Sequence, residues 1–238
     1  MKILKGWKKK SMQVLAMRKL KDFPKLESPF ERETVGRIYQ CVPKIRPDFE
    51  WVWSEDCVAV EKIDGTNVSI FIQKGAIKAI LNRTNVVDVW KSGKWFYEGV
   101  KNAIERDYFD PKNFVEEQLF GELIGPKLQG NPYNLEEHLW VPFSYLKENY
   151  SLRFWAGFAK ECSGKTASGI FEKTSELFKG LWSVYKRQRG IKGEVGESTV
   201  FENSMASEGI VFYSQKTGAV CKLRRDMFSW YRGRRHEM

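Results

Sequence analysis

With 238 residues, 42% of them hydrophobic and including nine Trp and sixteen Phe, the chain can bury a sizeable core as one large domain or a domain with a small appendage. A formal charge of +10 and a pI near 9.3 favour a polyanion, nucleic acid first, over an acidic small molecule or a neutral protein as partner. Four scattered cysteines without a C-x-x-C pair suggest neither a zinc site nor a disulfide framework, and no run nears the roughly 18 apolar residues of a membrane span; a cytoplasmic protein with reduced thiols is expected.

Residues 1–25 hold nine Lys or Arg against one acid, Asp22. Leu4, Met12, Leu15, Met17 and Leu20 are spaced for a short basic helix, and Pro24, Ser28 and Pro29 end it. A basic N-terminal arm is therefore expected, either as a solvated terminus or as an electrostatic arm for phosphates. It precedes a single domain over residues 26–238.

Short strand-like runs follow: Arg37 to Val42, Trp51 to Trp53, a hairpin of Cys57 to Ile63 with Val68 to Gln73, and Ala76 to Leu81 after the turn Lys74-Gly75. Phe96, Val100, Ile104 and Tyr108 recur every four residues, which predicts an amphipathic helix over residues 95–108, stopped by Pro111. Phe114 to Leu123 reads as a strand delivering Glu122, followed by a Gly- and Pro-rich loop from Gly125 to Tyr133.

Leu152 to Lys160 is aromatic and strand-like, and Ser175 to Arg189 looks helical with Ser175 as its cap. The charged segment from Lys186 to Glu197 is expected as an exposed loop. Gly209 to Tyr213 and Ala219 to Leu223 form closing strands around Lys216-Thr217-Gly218. A basic tail runs from Arg224 with Phe228, Trp230 and Tyr231 interleaved, where the rings either pack on the core or stack on bases. The whole reads as one mixed α+β domain without internal repeats.

The stretch Glu61-Lys-Ile-Asp-Gly-Thr-Asn67 places an amine nucleophile beside a tight glycine turn. Alone, Lys62-Ile-Asp-Gly is a weak signal, since a β-turn lysine looks the same. It is followed in order by Arg83, Phe120-Gly-Glu-Leu123, Phe154-Trp-Ala-Gly-Phe158, Glu208-Gly-Ile-Val211 and Lys222-Leu-Arg224. This series resembles motifs I, Ia, III, IIIa, IV and V of the covalent nucleotidyltransferases: DNA ligases, RNA ligases and capping enzymes. Glu61 to Asn67 and Gly121 to Tyr133 look most like the phage-type ATP-dependent RNA ligases, particularly the branch that seals nicks in duplex RNA.

The resemblance implies an ATP-grasp-like nucleotidyltransferase (adenylation) fold with antiparallel sheets and flanking helices. Only fourteen residues follow Arg224, so no OB domain is expected. By the same resemblance Lys62 would attack the α-phosphate of ATP and form lysyl-AMP, its pKa lowered by crowding with Lys222 and Arg224. AMP would then pass to a 5′-phosphate and be expelled by a 3′-hydroxyl.

Mg²⁺ or Mn²⁺ is implied by the phosphates, with Glu208 and Asp64 as its candidate ligands. Glu122 would accept from ribose hydroxyls, Glu61 would read the base, and Phe154, with Trp155 and Phe158 as rivals, would stack on adenine. Asn67 and Arg83 resemble positions that handle the nucleotide and the acceptor 5′-phosphate, and Asp64 and Gly65 shape the turn. Motif V departs in carrying Arg224 where a second lysine is usual, and motif IIIa is interrupted by Gly157. The expectation is thus a monomeric, ATP-dependent enzyme acting on RNA. A DNA ligase, a GTP-using relative, or an inactive RNA-binding relative are the alternatives.

Overall fold

The computed structural model describes residues 20–91, 93–193, 195 and 205–233. Most of the basic helix expected over residues 1–25, the end of the 186–197 loop and the last residues of the tail lie outside the described residues. The chain divides into two compact units, one of Met1–Pro24 with Asp64–Tyr145, the other of Lys25–Ile63 with Leu146–Met238. Antiparallel sheets with flanking helices make it a mixed α+β fold.

The first unit is built on a five-stranded antiparallel sheet of β4 (Thr66–Gln73), β5 (Ala76–Asn82), β6 (Asn85–Val86), β7 (Glu116–Ile124) and β8 (Leu139–Pro142), in the order β6-β5-β4-β7-β8. Lys74 and Gly75 join β4 to β5 with both φ angles positive, at 52° and 68°, the signature of a two-residue hairpin turn whose twist matches its strands.

Val68, Ile70 and Ile72 of β4 are fully buried on one face. Helix α1 (Lys94–Glu105) covers that side: at Gly99 a Cβ would meet the Leu123 side chain at 2.3 Å and the Trp140 backbone at 3.3 Å. The expected helix is present but ends early, because Asp107 turns left-handed (φ 56°) before Pro111 is reached. Strand β8 was not anticipated.

The second unit holds a three-stranded sheet, β10-β9-β3, of β3 (Cys57–Lys62), β9 (Gly209–Ser214) and β10 (Val220–Arg224). A separate ribbon pairs β1 (Phe30–Val35) with β2 (Ile38–Ile45). The unit's core gathers Phe30, Trp53, Trp155, Phe178, Phe212 and Phe228. Helix α2 (Phe143–Asn149) carries the chain back from the first unit, followed by α3 (Phe154–Cys162), α4 (Ala167–Lys179) and α5 (Val184–Gln188).

Four local expectations are corrected. Trp51 to Trp53 close a 3-10 helix begun by Pro47, whose fixed φ and missing N–H suit a first helical position. Leu152 to Lys160 is mostly helix α3, because Trp155, Ala159 and Cys162 recur at helical spacing and all are buried. The helix expected over 175–189 is two helices capped by Thr166 and Ser183, with Ser175 inside α4.

Lastly, β3 and β4 are no hairpin: β3 pairs with β9, while β4 pairs with β5 and β7. Gly65 supplies no left-handed turn. It is needed because a Cβ there would lie 2.4 Å from the Leu123 carbonyl oxygen, inside any real contact distance.

Trp155 is the hinge of the second core. Its Nε1 donates to the Val52 carbonyl at 2.8 Å and its ring packs on Phe212 at 4.7 Å. Trp155→Ala is expected to cost about 3–5 kcal/mol in urea unfolding, and Trp155→Phe distinctly less, since the ring volume is mostly kept.

Candidate active site: a lysine–glutamate pair on a basic sheet face

Residues that pair across antiparallel strands share a face, and alternate residues of one strand do so too. In the second unit, Lys62 pairs with Gly209 and Gly209 with Arg224, while Val60, Val211 and Lys222 form the row two residues away. The register therefore sets Lys62, Lys222 and Arg224 on one face of a three-stranded sheet. Only glycine fits at 209, where a Cβ would lie 2.2 Å from the Leu223 carbonyl oxygen and 2.8 Å from the Arg224 Cα.

Glu208 ends the segment entering β9. Its Oε2 lies 2.5 Å from Lys62 Nζ, and its Oε1 lies 3.9 Å from an Arg224 guanidinium nitrogen. Both side chains of the closer pair are shielded, at 18% and 11% exposure. Lys62 Nζ also donates to the Ile63 carbonyl at 3.4 Å. Arg224 Nε sits 3.1 Å from Asp226, an acid that sequence reasoning missed. Its signal was only an acid two places beyond Arg224.

Three cations and two carboxylates thus converge, leaving a net positive charge for an anion. The crowding registers on Lys222, whose pKa is lowered to about 8. Burial is the main cause, followed by the charges of Arg224 and Lys62, with Glu208 and Asp226 opposing.

Glu61 lies on the other face. It pairs with Ile210, is 2% exposed, and accepts hydrogen bonds from Ser183 Oγ at 2.5 Å and Tyr185 N at 2.9 Å. Burial raises its pKa against the lowering effect of those bonds. The carboxylate expected to read the base is engaged at the start of α5, which Ser183 also caps by accepting from Lys186 N at 3.0 Å.

The remaining motif residues belong to the first unit. Asp64 N donates to the buried Tyr133 hydroxyl at 2.5 Å, and Gln129 Nε2 to the Gly65 carbonyl at 3.4 Å. The loop from Gly125 to Tyr133 thereby fastens the turn. Asn67, Glu122 and Val141 form one row across β4, β7 and β8, with Glu122 only 9% exposed. Arg83 occupies the exposed turn between β5 and β6 with φ 56°.

Phe154 opens α3 in the second unit and is 46% exposed. Its rivals differ: Trp155 is buried, and Phe158 packs against the core. The chain reaches α3 through Leu152, whose N–H donates to the Ala59 carbonyl at 2.8 Å, three residues or about 10 Å along β3 from Lys62.

Among the described residues no three His, Cys, Asp or Glu side chains form a metal-binding group. Glu208 offers a single carboxylate, which fits the habit of Mg²⁺ to take one or two carboxylates and complete its shell with water and phosphate oxygens.

The RNA ligase family model matches residues 55–227. No curated protein sequence matches significantly. Similar solved structures include three of variants of the Naegleria gruberi RNA ligase. One, with ATP and Mn, has 15% identity over 86% of this chain and 58% of that chain, with a TM-score of 0.44. An apo variant gives 15% identity, the same coverages and a TM-score of 0.46. A variant with AMP and Mn gives 16% identity, again 86% and 58% coverage, and a TM-score of 0.46. The chain thus spans less than two thirds of the length of these proteins.

The lowered pKa of Lys222 fixes a pH signature. At and below pH 8 the cost of burying its charge is largely present in the folded state; between 8 and the ordinary 10.5 the unfolded lysine holds a proton the folded one has released. Stability then rises with pH through that window. Urea midpoints measured from pH 8 to 10.5 are expected to gain more for the wild type than for Lys222→Met, which lacks the titrating group.

Proposed function

Since the chain belongs to the RNA ligase family, we propose that it is an ATP-dependent RNA ligase that joins 3′-hydroxyl and 5′-phosphate ends with Lys62 as its covalent nucleotide carrier. The observation that carries this reading is the shielded Lys62–Glu208 pair on a sheet face shared with Lys222 and Arg224. An amine is a nucleophile only when deprotonated, and neighbouring cations favour proton loss.

In the first step the Lys62 amine attacks the α-phosphorus of ATP. An N–P bond forms, the P–O bond to pyrophosphate breaks, and the amine gives up a proton to the nearby Glu208 carboxylate, directly or through water. Lys222 and Arg224 are assigned to offset charge on the transferring phosphate, a contribution worth several kcal/mol of barrier in such transfers. A 5′-phosphate oxygen of RNA then takes the AMP from Lys62, and a 3′-hydroxyl displaces AMP to form the phosphodiester.

Glu208 is our assignment for holding Mg²⁺ or Mn²⁺, which when bound would neutralise phosphate charge. Asp64, its backbone fixed by Tyr133, is the other acid the motif offers. Glu122 is assigned to ribose hydroxyls, Asn67 and Arg83 to phosphates, and Phe154 to adenine. The buried Glu61 carboxylate we assign to positioning α5. A basic N-terminal arm over residues 1–25 completes the reading.

The test is sealing of a nicked RNA duplex with ATP and Mg²⁺, compared with a nicked DNA duplex and with GTP. RNA and ATP are expected to be preferred. Lys62→Ala is expected to abolish sealing, and Lys222→Ala to slow it by roughly 10²–10³-fold, the usual loss when one preorganised charge partner is removed. Undiminished sealing by Lys62→Ala would overturn the assignment.

A further inference from the structure

The loop between β6 and α1 is closed around one acid. Asp88 accepts from Trp90 N on its carboxylate at 3.1 Å, and from Lys91 N and Gly93 N on its carbonyl at 3.2 and 3.1 Å. Val87 N donates to the Ile80 carbonyl at 2.9 Å, which ties the start of the loop to β5. Gly93 seals it: a Cβ there would lie 2.2 Å from Val87 Cγ1 and 3.0 Å from the Asp88 carbonyl oxygen. The backbone is fastened at several points and makes a fixed mount for its side chains.

What the loop presents is an indole left in water. Trp90 is 74% exposed and Tyr97, in the first turn of α1, is 56% exposed, the two barest aromatic rings among the described residues. Few side chains have more apolar area to lose by standing out than tryptophan. Lys91 adjoins Trp90, while Lys94, Tyr97 and Lys101 recur at i, i+3 and i+7 and so share one stripe of α1. Trp90 precedes Lys94 by four residues, which keeps their backbones within about 14 Å. Rings and cations therefore alternate over a small area of the first unit.

The charge there is positive. Residues 83–101 hold Arg83, Lys91, Lys94 and Lys101 against Asp88 and Glu98, a net of two cations. Both acids are engaged locally, Asp88 in closing the loop and Glu98 at 2.9 Å from His138 Nδ1. Lys101 pairs with Glu105 at 2.8 Å, whereas Lys91 and Lys94 make no ion pair among the described residues. A protein partner would favour rings without bare lysines, which such interfaces deplete. Unpaired nucleotides call for what is present, a ring on which a base can stack and cations for the phosphates beside it. In a duplex the base faces are already stacked on one another, so the indole gains a partner only where bases are unpaired.

We propose that Trp90 is a stacking platform for an unpaired base of the RNA substrate, with Lys91 and Lys94 on the adjoining phosphates and Tyr97 as a second ring. The inference rests on the RNA ligase reading and narrows its substrate to RNA that carries unpaired nucleotides.

The test is fluorescence anisotropy of the full chain without ATP, using a labelled single-stranded RNA of about a dozen nucleotides and a blunt RNA duplex of equal length. Trp90→Ala is expected to weaken binding of the single strand roughly 5- to 100-fold and to leave duplex binding unchanged, with Trp90→Phe keeping most of the affinity. Lys91→Gln combined with Lys94→Gln is expected to lower the slope of log affinity against log KCl by about 1.4, at about 0.7 per phosphate contact on a single strand. Trp90→Ala keeps the wild-type slope.

Wild-type affinity of Trp90→Ala for the single strand would overturn the proposal, as would equal losses on strand and duplex. An unchanged salt slope in the double lysine variant would overturn it independently of how the tryptophan variants fold. Sedimentation covers a protein partner: self-association of the wild type that Trp90→Ala loses, with RNA affinity intact, would assign the ring to a contact between copies and sink the proposal. Binding is read without catalysis, so a chain that held single-stranded RNA through Trp90 but sealed none would strike the ligase reading and not this one.

Discussion

Everything at the candidate site depends on one short contact, the 2.5 Å pair of Lys62 Nζ and Glu208 Oε2. A lone buried lysine would be expensive, and a lone buried glutamate equally so. Each makes the other tolerable, and Lys222 and Arg224 can then stand close by because the carboxylates of Glu208 and Asp226 offset their repulsion. The result is one sheet face that keeps an amine, a carboxylate and two further cations together. Removing Glu208 would leave three cations facing Asp226 alone.

Register does the positioning. Lys62, Gly209 and Arg224 fall in one row, and β3, β9 and β10 come together there only because position 209 has no side chain. The same period of two that brings Lys62 to the charged face sends Glu61 to the opposite one, where it fastens α5. Gly65 plays a related part in the first unit, allowing the turn after Lys62 to lie directly against β7 beside Glu122. Glycine here serves close approach of backbones.

The parts of this arrangement legible in the sequence were those set by short-range pattern. Lys222 and Arg224 at alternate positions, the hairpin turn at Lys216 to Gly218, and the four-residue recurrence from Phe96 to Ile104 each dictate local geometry. What the chain does not spell out is which strands meet. Cys57 to Ile63 and Val68 to Gln73 read as a hairpin because they are adjacent and alternate, yet β3 pairs with β9, 147 to 157 residues on, and β4 pairs with β7, 43 to 57 residues on, as well as with the adjacent β5. Aromatic runs misled for another reason: Phe154, Trp155 and Phe158 satisfy a strand by composition and a helix by spacing, and spacing won. The side of the sheet that Glu61 takes follows from its place next to Lys62, though resemblance had given it a different task.

The central claim is that Lys62 itself becomes covalently bonded to AMP. Incubation of the protein with ATP and Mg²⁺, digestion, and tandem mass spectrometry of the peptides locates the modification by residue. The account predicts a single AMP on the peptide containing Lys62 and none on Lys222. AMP found on another residue, or an unmodified Lys62 under conditions where RNA nicks are sealed, would contradict it.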